Sequence, residues 1–417
     1  MNNTLTQKIL ITFAFLFAYR VLAYIPVPGV DLDVIANFFK DNTNNALGMA
    51  NMFSGNAISR LSIISLGIMP YITASIVMEL LAATFPALGQ MKKERDGMQK
   101  YMQIIRYFTI FITVIQAVGV AVGLQHMGNN GAVLIDMTTF IIIAVFSMLA
   151  GTMLLMWFGE QITQRGIGNG ISLIIFAGIV SGIPAAIGNT ISQVNSGSMD
   201  FAVVIGIFII MVVTILTIIY IELGERRIPI SYSRKTLMQN QSKKIMNYIP
   251  IRLNISGVIP PIFASAILMF PLTMLKSSNS EIAKMITDYL TPGSMLYNVV
   301  VFFLVIFFAF FYASIQFNAK DIAENLKKQG GFIPGVRPGE QTKEFLNDVA
   351  SKLTLWGALY LAIISTVPFA IISKLGASFY FGGTAVLIVV QVALDTMRKI
   401  EAQKVMGQYQ TPGNIGL

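Results

Sequence analysis

The chain of 417 residues contains no cysteine and a single histidine, His126. A disulfide framework, a thiol nucleophile and a thiolate metal site are therefore excluded. One imidazole also excludes a multi-histidine metal centre. Charge is scarce: Asp, Glu, Lys and Arg make up 12% of the residues, where soluble domains carry about 25%. With 55% hydrophobic residues and a mean hydropathy of +0.69, the composition excludes a soluble globule.

What fills the chain instead is a series of apolar stretches, each long enough to cross a hydrocarbon core at about 20 residues per span. About ten are predicted, at 9–25, 68–86, 104–124, 138–158, 169–187, 202–222, 255–275, 297–317, 354–373 and 379–397. The fold class expected is an all-α polytopic membrane protein. The loops between spans divide the basic residues unevenly, with 23 of the 29 Lys and Arg in the N-terminal segment, every second loop and the C-terminal segment. Cytoplasmic loops carry such an excess, so both termini are expected in the cytoplasm. The formal charge of +9 is then a loop property, suited to anionic headgroups or to an acidic or nucleic-acid partner. Arg20 interrupts the first apolar run and nine more follow, so that run is expected to be a span and not a cleaved leader.

Ten spans without an intervening soluble domain suggest one membrane domain over 1–417, built as halves 1–187 and 202–417 around a polar hinge at 188–201. Five spans per half would set equivalent helices in opposite directions, giving an inverted repeat. Three regions do not fit the pattern of spans and short turns. Residues 26–67 open on Pro26 and Pro28, run through polar DNTNN and end in NMFSGNAISRLSIISLG, where Ile58, Leu61 and Ile64 stand near helical spacing. That last piece reads either as a surface helix on the outer leaflet or as a short half-helix re-entering the protein interior, where it would be shielded from lipid. The loops 223–253 and 318–353 are too long to be tight connections. The second contains GGFIPGVRPGEQT, whose alternating Gly and Pro predict a rigid, hairpin-like tip. Both loops read as a docking platform.

Catalytic motifs are missing. The glycines of RGIGNGIS (Gly166, Gly168, Gly170) lack the preceding strand and the following Lys-Ser/Thr of a phosphate loop. They read as a tight turn into the fifth span, with Asn169 or Ser172 capping its start. Ionisable residues inside spans mark ion or substrate paths. Here they are Arg20, Glu79 and Asp395, and Arg20 and Asp395 lie near enough to span ends to reach the interface, Arg20 by snorkelling. No string of carboxylates forms a proton relay.

Several stretches carry a resemblance: IPVPGVD (25–31), NMFSGNAISRLSIISLGIMPYITASI (51–76), GTMLLMWFGEQITQRGIGNGISLIIFAGIV (151–180), GVIPPIFAS (257–265), FIPGVRPGEQT (332–342) and FYFGGTAVLIVV (379–390). In order, spacing and span count the chain resembles the SecY/Sec61-alpha family of protein-conducting channels. The resemblance implies an hourglass pore pinched by an apolar ring at Ile68, Ile72, Ile171, Ile175, Ile262 and Ile388. It implies a plug, a short helix at 54–66, whose matching residues include Ser54, Gly55, Ala57, Ile58, Arg60, Leu61 and Ile64. Its Ser and Gly content suggests cheap displacement. A lateral gate between the second/third and seventh/eighth spans would include Thr73, Gln116, Ser265 and Phe270. Partner docking would involve Arg234 and Lys235 in the first large loop and Arg337, Pro338 and Glu340 in the second.

Two departures stand beside the resemblance. Glu79 replaces the Gln that the family often has, and SYSRKTLMQNQSKKIMNYIPIRLN does not keep intact the basic run usual in the first loop. The function implied is passage of unfolded, signal-bearing preproteins across the bacterial cytoplasmic (inner) membrane, with lateral release of apolar segments into the membrane lipids. The partners implied are SecE, SecG, the motor ATPase SecA and the ribosome, with no cofactor and no enzymatic activity of its own. A secondary transporter with inverted repeats is the alternative. Scarce midplane charge and two large basic loops weigh against it.

Overall fold

A computed structural model describes residues 2–41, 51, 54–125, 132–197, 199–232, 248–276, 285, 289–290, 294–374 and 383–409, with side chains described for all of these except 2–4, 37–41, 93, 95, 125, 232, 269–276, 369, 372–374 and 406–409. In chain order the elements are α1 (Asn2–Leu22), α2 (Leu32–Asp41), α3 (Met69–Thr84), α4 (Pro86–Lys93), α5 (Arg95–Gln125), α6 (Met137–Arg165), α7 (Gly170–Asn195) and α8 (Phe201–Glu222). They continue as β1 (Glu225–Pro229), β2 (Ser231–Tyr232), β3 (Tyr248–Arg252), α9 (Ile259–Lys276), α10 (Met295–Gln316), α11 (Ala319–Lys328), β4 (Gly331–Phe332), α12 (Glu340–Lys374) and α13 (Gly383–Tyr409).

Ten helices, α1, α3, α5 to α10, α12 and α13, fall on the ten apolar stretches, so the chain is an all-α polytopic membrane protein. Among the described residues seven helices are long and apolar enough to cross a membrane alone, and the pair α3–α4, bent by 115°, makes an eighth. The bend falls at Pro86, where Phe85 is extended (ψ 110°), the conformation that a following proline imposes. Helix starts are capped as the sequence suggests. Asp136 accepts from the amides of Thr138 and Thr139, Asp200 from Ala202, and Ser294 from Tyr297.

Spans meet through small residues and one strong ion pair. A methyl at Gly170 would overlap the carbonyl oxygen of Gly159, so α6 and α7 pack backbone to backbone, the close approach that small residues allow in membranes. Arg106 of α5 binds Glu160 of α6 through Nε (3.1 Å) and Nη2 (2.8 Å), the bidentate geometry that lysine lacks.

Four expectations need correction. The polar hinge is shorter than 188–201, because α7 runs on through Asn195. The piece read as a helix after the first span is none: residues 54–68 are a chain of turns, and among the described residues of that region α2 is helical, its start capped by Asp31. The loop 318–353 is not a hairpin. It comprises α11, a Gly/Pro turn and the first turns of α12, which starts directly after Gly339 and meets no proline before Pro368. The hairpin belongs to the other loop, where β1 pairs antiparallel with β3 in the register Glu225↔Arg252 to Pro229↔Tyr248, and β2 joins the two loops by pairing with β4. A small core of Ile228, Ile251, Leu326, Ile333 and Leu346 fills the space between them. Arg20 does not simply snorkel, as its contacts below show.

Candidate functional site

Residues 54–68 lie inside the bundle, which removes the surface-helix reading. Ala57 and Ile64 are fully buried, and Ser54, Leu61, Ser62 and Ser65 nearly so. A buried loop must satisfy its own backbone, and here the partners are local and lateral. The amide of Val27 donates to Leu61 O (2.9 Å), and that of Ile63 to Ile25 O (3.0 Å). Asn51 Oδ1 accepts from the Ser59 amide, and Ser62 Oγ from the Ile64 amide. Arg20 of α1 donates through Nη1 to Gly55 O (2.8 Å) and to Ser181 Oγ of α7 (3.1 Å), while Tyr19 Oη donates to Ser54 O. Arg60 stacks on the Tyr24 ring at 4.0 Å. A methyl at Gly151 of α6 would overlap Ile63 O, so the span wall touches the loop backbone directly. Ile58 is half-buried and packs against a second apolar cluster around Leu61 and Phe140. The loop is held at several points, more firmly than its Ser and Gly content suggested.

The six isoleucines come from four helices and the residue before one of them. Ile68 caps the start of α3 and Ile72 lies one turn on; Ile171 and Ile175 are on α7, Ile262 on α9 and Ile388 on α13. Ile68, Ile72, Ile175 and Ile388 belong to one buried apolar cluster, and Ile171 and Ile262 pack against it; Ala57 and Ile64 of the loop join the same cluster. A cavity of about 270 Å³ is lined by Asn169, Asn254, Gln316, Gln391, Asp395 and Lys399, among others. Asn169, Ile259 and Gln391, which line it, lie within about one helical turn of Ile171, Ile262 and Ile388.

The seam of α3 and α5 against α9 is closed by packing. Thr73 donates to Met69 O of its own helix (3.0 Å), and Ser265 to Pro261 O (2.9 Å) and Ile262 O (3.0 Å). Gln116 is half-buried on α5. The two hydroxyls thus bond along their helices and not across the seam. Phe263 of α9 meets Phe308 and Tyr312 of α10 edge to face. The side chain of Phe270 lies outside the described residues.

At the basic face, Arg337, Pro338 and Glu340 are exposed. The turn that presents them is fixed by Thr342, whose buried hydroxyl donates to Arg337 O (2.8 Å), and by Gly335 and Gly339 at φ 82° and 108°, a backbone region glycine adopts without strain. Lys343 Nζ, 2.6 Å from Glu340, holds that carboxyl below the usual range. Arg234 and Lys235 lie outside the described residues. Residues that the sequence reading passed over anchor this face to the bundle. Buried Asn254 donates to Glu222 Oε1 (2.6 Å), Arg398 donates to Glu222 O, and Asp395 lies 3.6 Å from Arg252. Two polar residues flanking a loop at its span ends, Glu222 and Asn254, were the available signal.

The sequence model of the SecY family matches residues 62–397. A protein translocase subunit SecY of Helicobacter pylori (strain ATCC 700392 / 26695) is 66% identical over the full length of both chains. That of Escherichia coli K12 is 41% identical over 98% of this chain and 93% of its own. Among solved structures, "The structure of a protein conducting channel" superposes with a TM-score of 0.72 at 19% identity, covering 99% of this chain and 95% of that one. Sec61 in a canine ribosome–channel complex gives 0.69 at 18% identity with the same coverage. At those identities the likeness is one of fold.

Proposed function

Since the chain belongs to the SecY family and is a multi-pass, protein-conducting channel subunit of a translocase rather than an enzyme, we propose which of its parts seal, gate and dock. The six isoleucines form the seal around an extended polypeptide. Residues 54–68 stopper the outer side, and the cavity at Gln391 is the cytoplasmic vestibule. The basic face and both termini lie in the cytoplasm of a bacterial cell, with the chain in its inner membrane. Signal-bearing preproteins enter there, driven by SecA or delivered by the ribosome at the Arg337 turn, with SecE and SecG as companion subunits. Apolar segments leave for the lipid between α3/α5 and α9/α10. Two inverted halves on either side of 196–200 would make that seam their front.

The observation that carries this reading is the common cluster: isoleucines from four helices belong to, or pack against, the same buried apolar cluster that Ala57 and Ile64 of the loop join. The test is a channel in which Ile72, Ile171, Ile262 and Ile388 are all glycine, reconstituted in planar bilayers. The constriction should widen and wet, ion leak should rise, and bulkier substrates should pass. Wild-type conductance in a folded protein would remove the ring assignment.

The seam helps to explain how a signal segment opens it. Interhelical polar contacts in membranes contribute about 0.6 kcal/mol each, and here Thr73 and Ser265 make none across the seam. Among the described residues these two hydroxyls leave the seam to packing. A span-length apolar segment offers the same packing, plus about 0.3–0.6 kcal/mol per Leu, Ile, Phe or Val on partition into lipid.

A further inference from the structure

At the basic end of the seam two buried oxygens lack partners. Glu79, on α3, faces Lys92 of α4 through Oε1 at 3.8 Å, a long ion pair with a half-exposed lysine. Its Oε2 is buried and unpaired. Tyr101 of α5 is 2% exposed, and its hydroxyl is buried and unpaired as well. α3 and α5 pack against one another, and Tyr71 and Tyr101 lie in the same buried cluster. The other buried carboxylates are better served. Glu160 takes the Arg106 fork and Glu222 takes the Asn254 amide.

A buried acceptor left unpaired is costly, so a site that keeps one gains by acquiring a donor. Carboxylate and phenol oxygens both accept from an ammonium or guanidinium, which carries several donors and the complementary charge. We propose that Glu79, assisted by Tyr101, receives the cationic head of the entering segment: a Lys or Arg side chain or the α-amino group just before its apolar run. This rests on the gate reading above. Export signals carry a basic stretch ahead of the apolar one. With the apolar run in the seam and its start on the basic face, that stretch comes to the end of α3 where Glu79 stands. Lys92 is the placeholder, exposed enough to swing into water when the segment's own cation arrives. The head group thereby relieves an unpaired charge, and signal charge favours gate opening.

The test uses the full chain with its companion subunits and three precursors that differ only in the stretch before the apolar run: two lysines, neutral, or two aspartates. Wild-type channel should translocate the lysine precursor about fivefold faster than the neutral one, the worth of a partly buried ion pair. In Glu79→Gln the ratio should fall below about twofold, in Lys92→Ala it should rise because the competitor is gone, and Glu79→Lys should prefer the aspartate precursor. Because the chain has no native cysteine, Glu79→Cys should form a disulfide with a cysteine in the basic stretch of a stalled precursor, and Thr73→Cys with one in its apolar run. Equal ratios in wild type and Glu79→Gln, as expected if water alone fills the gap at Tyr101, would overturn the proposal. So would a precursor that cross-links to position 73 but not to 79. Loss of both cross-links in a translocating channel would instead sink the gate reading, and this inference with it. Should Glu79→Gln fail to assemble, Lys92→Ala keeps the proposal testable: a lysine-to-neutral ratio that does not rise above the wild-type value would overturn it.

Discussion

Residues 54–68 and the body built from 225–232, 248–252 and 319–339 are both irregular insertions between spans, and they are made on opposite plans. The first is buried yet has no core of its own: Ala57, Leu61 and Ile64 pack into clusters that belong to the spans, and its backbone is tied to residues 25–27 and to Arg20. The second projects from the bundle with a private core of Ile228, Ile251, Leu326, Ile333 and Leu346, plus two short strand pairings. A part held only by its surroundings can be released as a unit when they shift. A part with a core largely its own depends less on how the spans shift. That difference suits a stopper and a docking surface respectively.

Disturbing the private core should have the largest effect. Leu346→Ala removes a fully buried side chain and should cost about 2–5 kcal/mol, read as lost hydrogen-exchange protection across 225–232 and 319–339. Ion leak should stay at the wild-type level, and a parallel rise in leak would show that the two regions are not independent. Gly151→Val probes the other plan. A side chain there overlaps Ile63 O, and overpacking costs about 1–3 kcal/mol. If the cost falls on the stoppered state alone, the unstoppered fraction rises by about 5- to 150-fold, visible as leak in planar bilayers, while the basic-face body keeps its protection. Arg20→Gln, which gives up a charged donor to Gly55 O, should act in the same direction at about 1.5 kcal/mol or more.

The spans were legible because length and polarity alone define them, and the Asn169 cap of α7 followed from residue type. The shape of 54–68 was not. Ile58, Leu61 and Ile64 mimic a helical stripe, but Gly55, Asn56, Leu61 and Gly67 adopt positive φ, and for leucine no sequence rule announces that. The inward turn of Thr73 and Ser265 had an available clue, since hydroxyls in apolar helices commonly bond the carbonyl four residues back. The pairing of β2 with β4 had none, because it depends on two loops nearly a hundred residues apart meeting in space.

Smaller effects separate charge from shape on the basic face. Arg337→Glu should slow partner-driven translocation about tenfold, because a guanidinium on a fixed turn binds a carboxylate or phosphate through two donors. Lys327→Glu, exposed on α11, should cost about twofold and only at low salt, where exposed charges are least screened. Equal losses at all salt concentrations would reduce the turn to a diffuse basic patch.

The seal at the isoleucine ring is the centre of the account, and a stalled chain addresses it directly. Single cysteines at positions 72, 175, 262 and 388, in a protein with none of its own, would be offered to a translocation intermediate carrying one cysteine at mid-membrane depth. Disulfides at all four positions, on four different helices, are the expected result. Cross-links confined to one helix, with the precursor still crossing at the wild-type rate, would contradict a ring and require the path to run elsewhere.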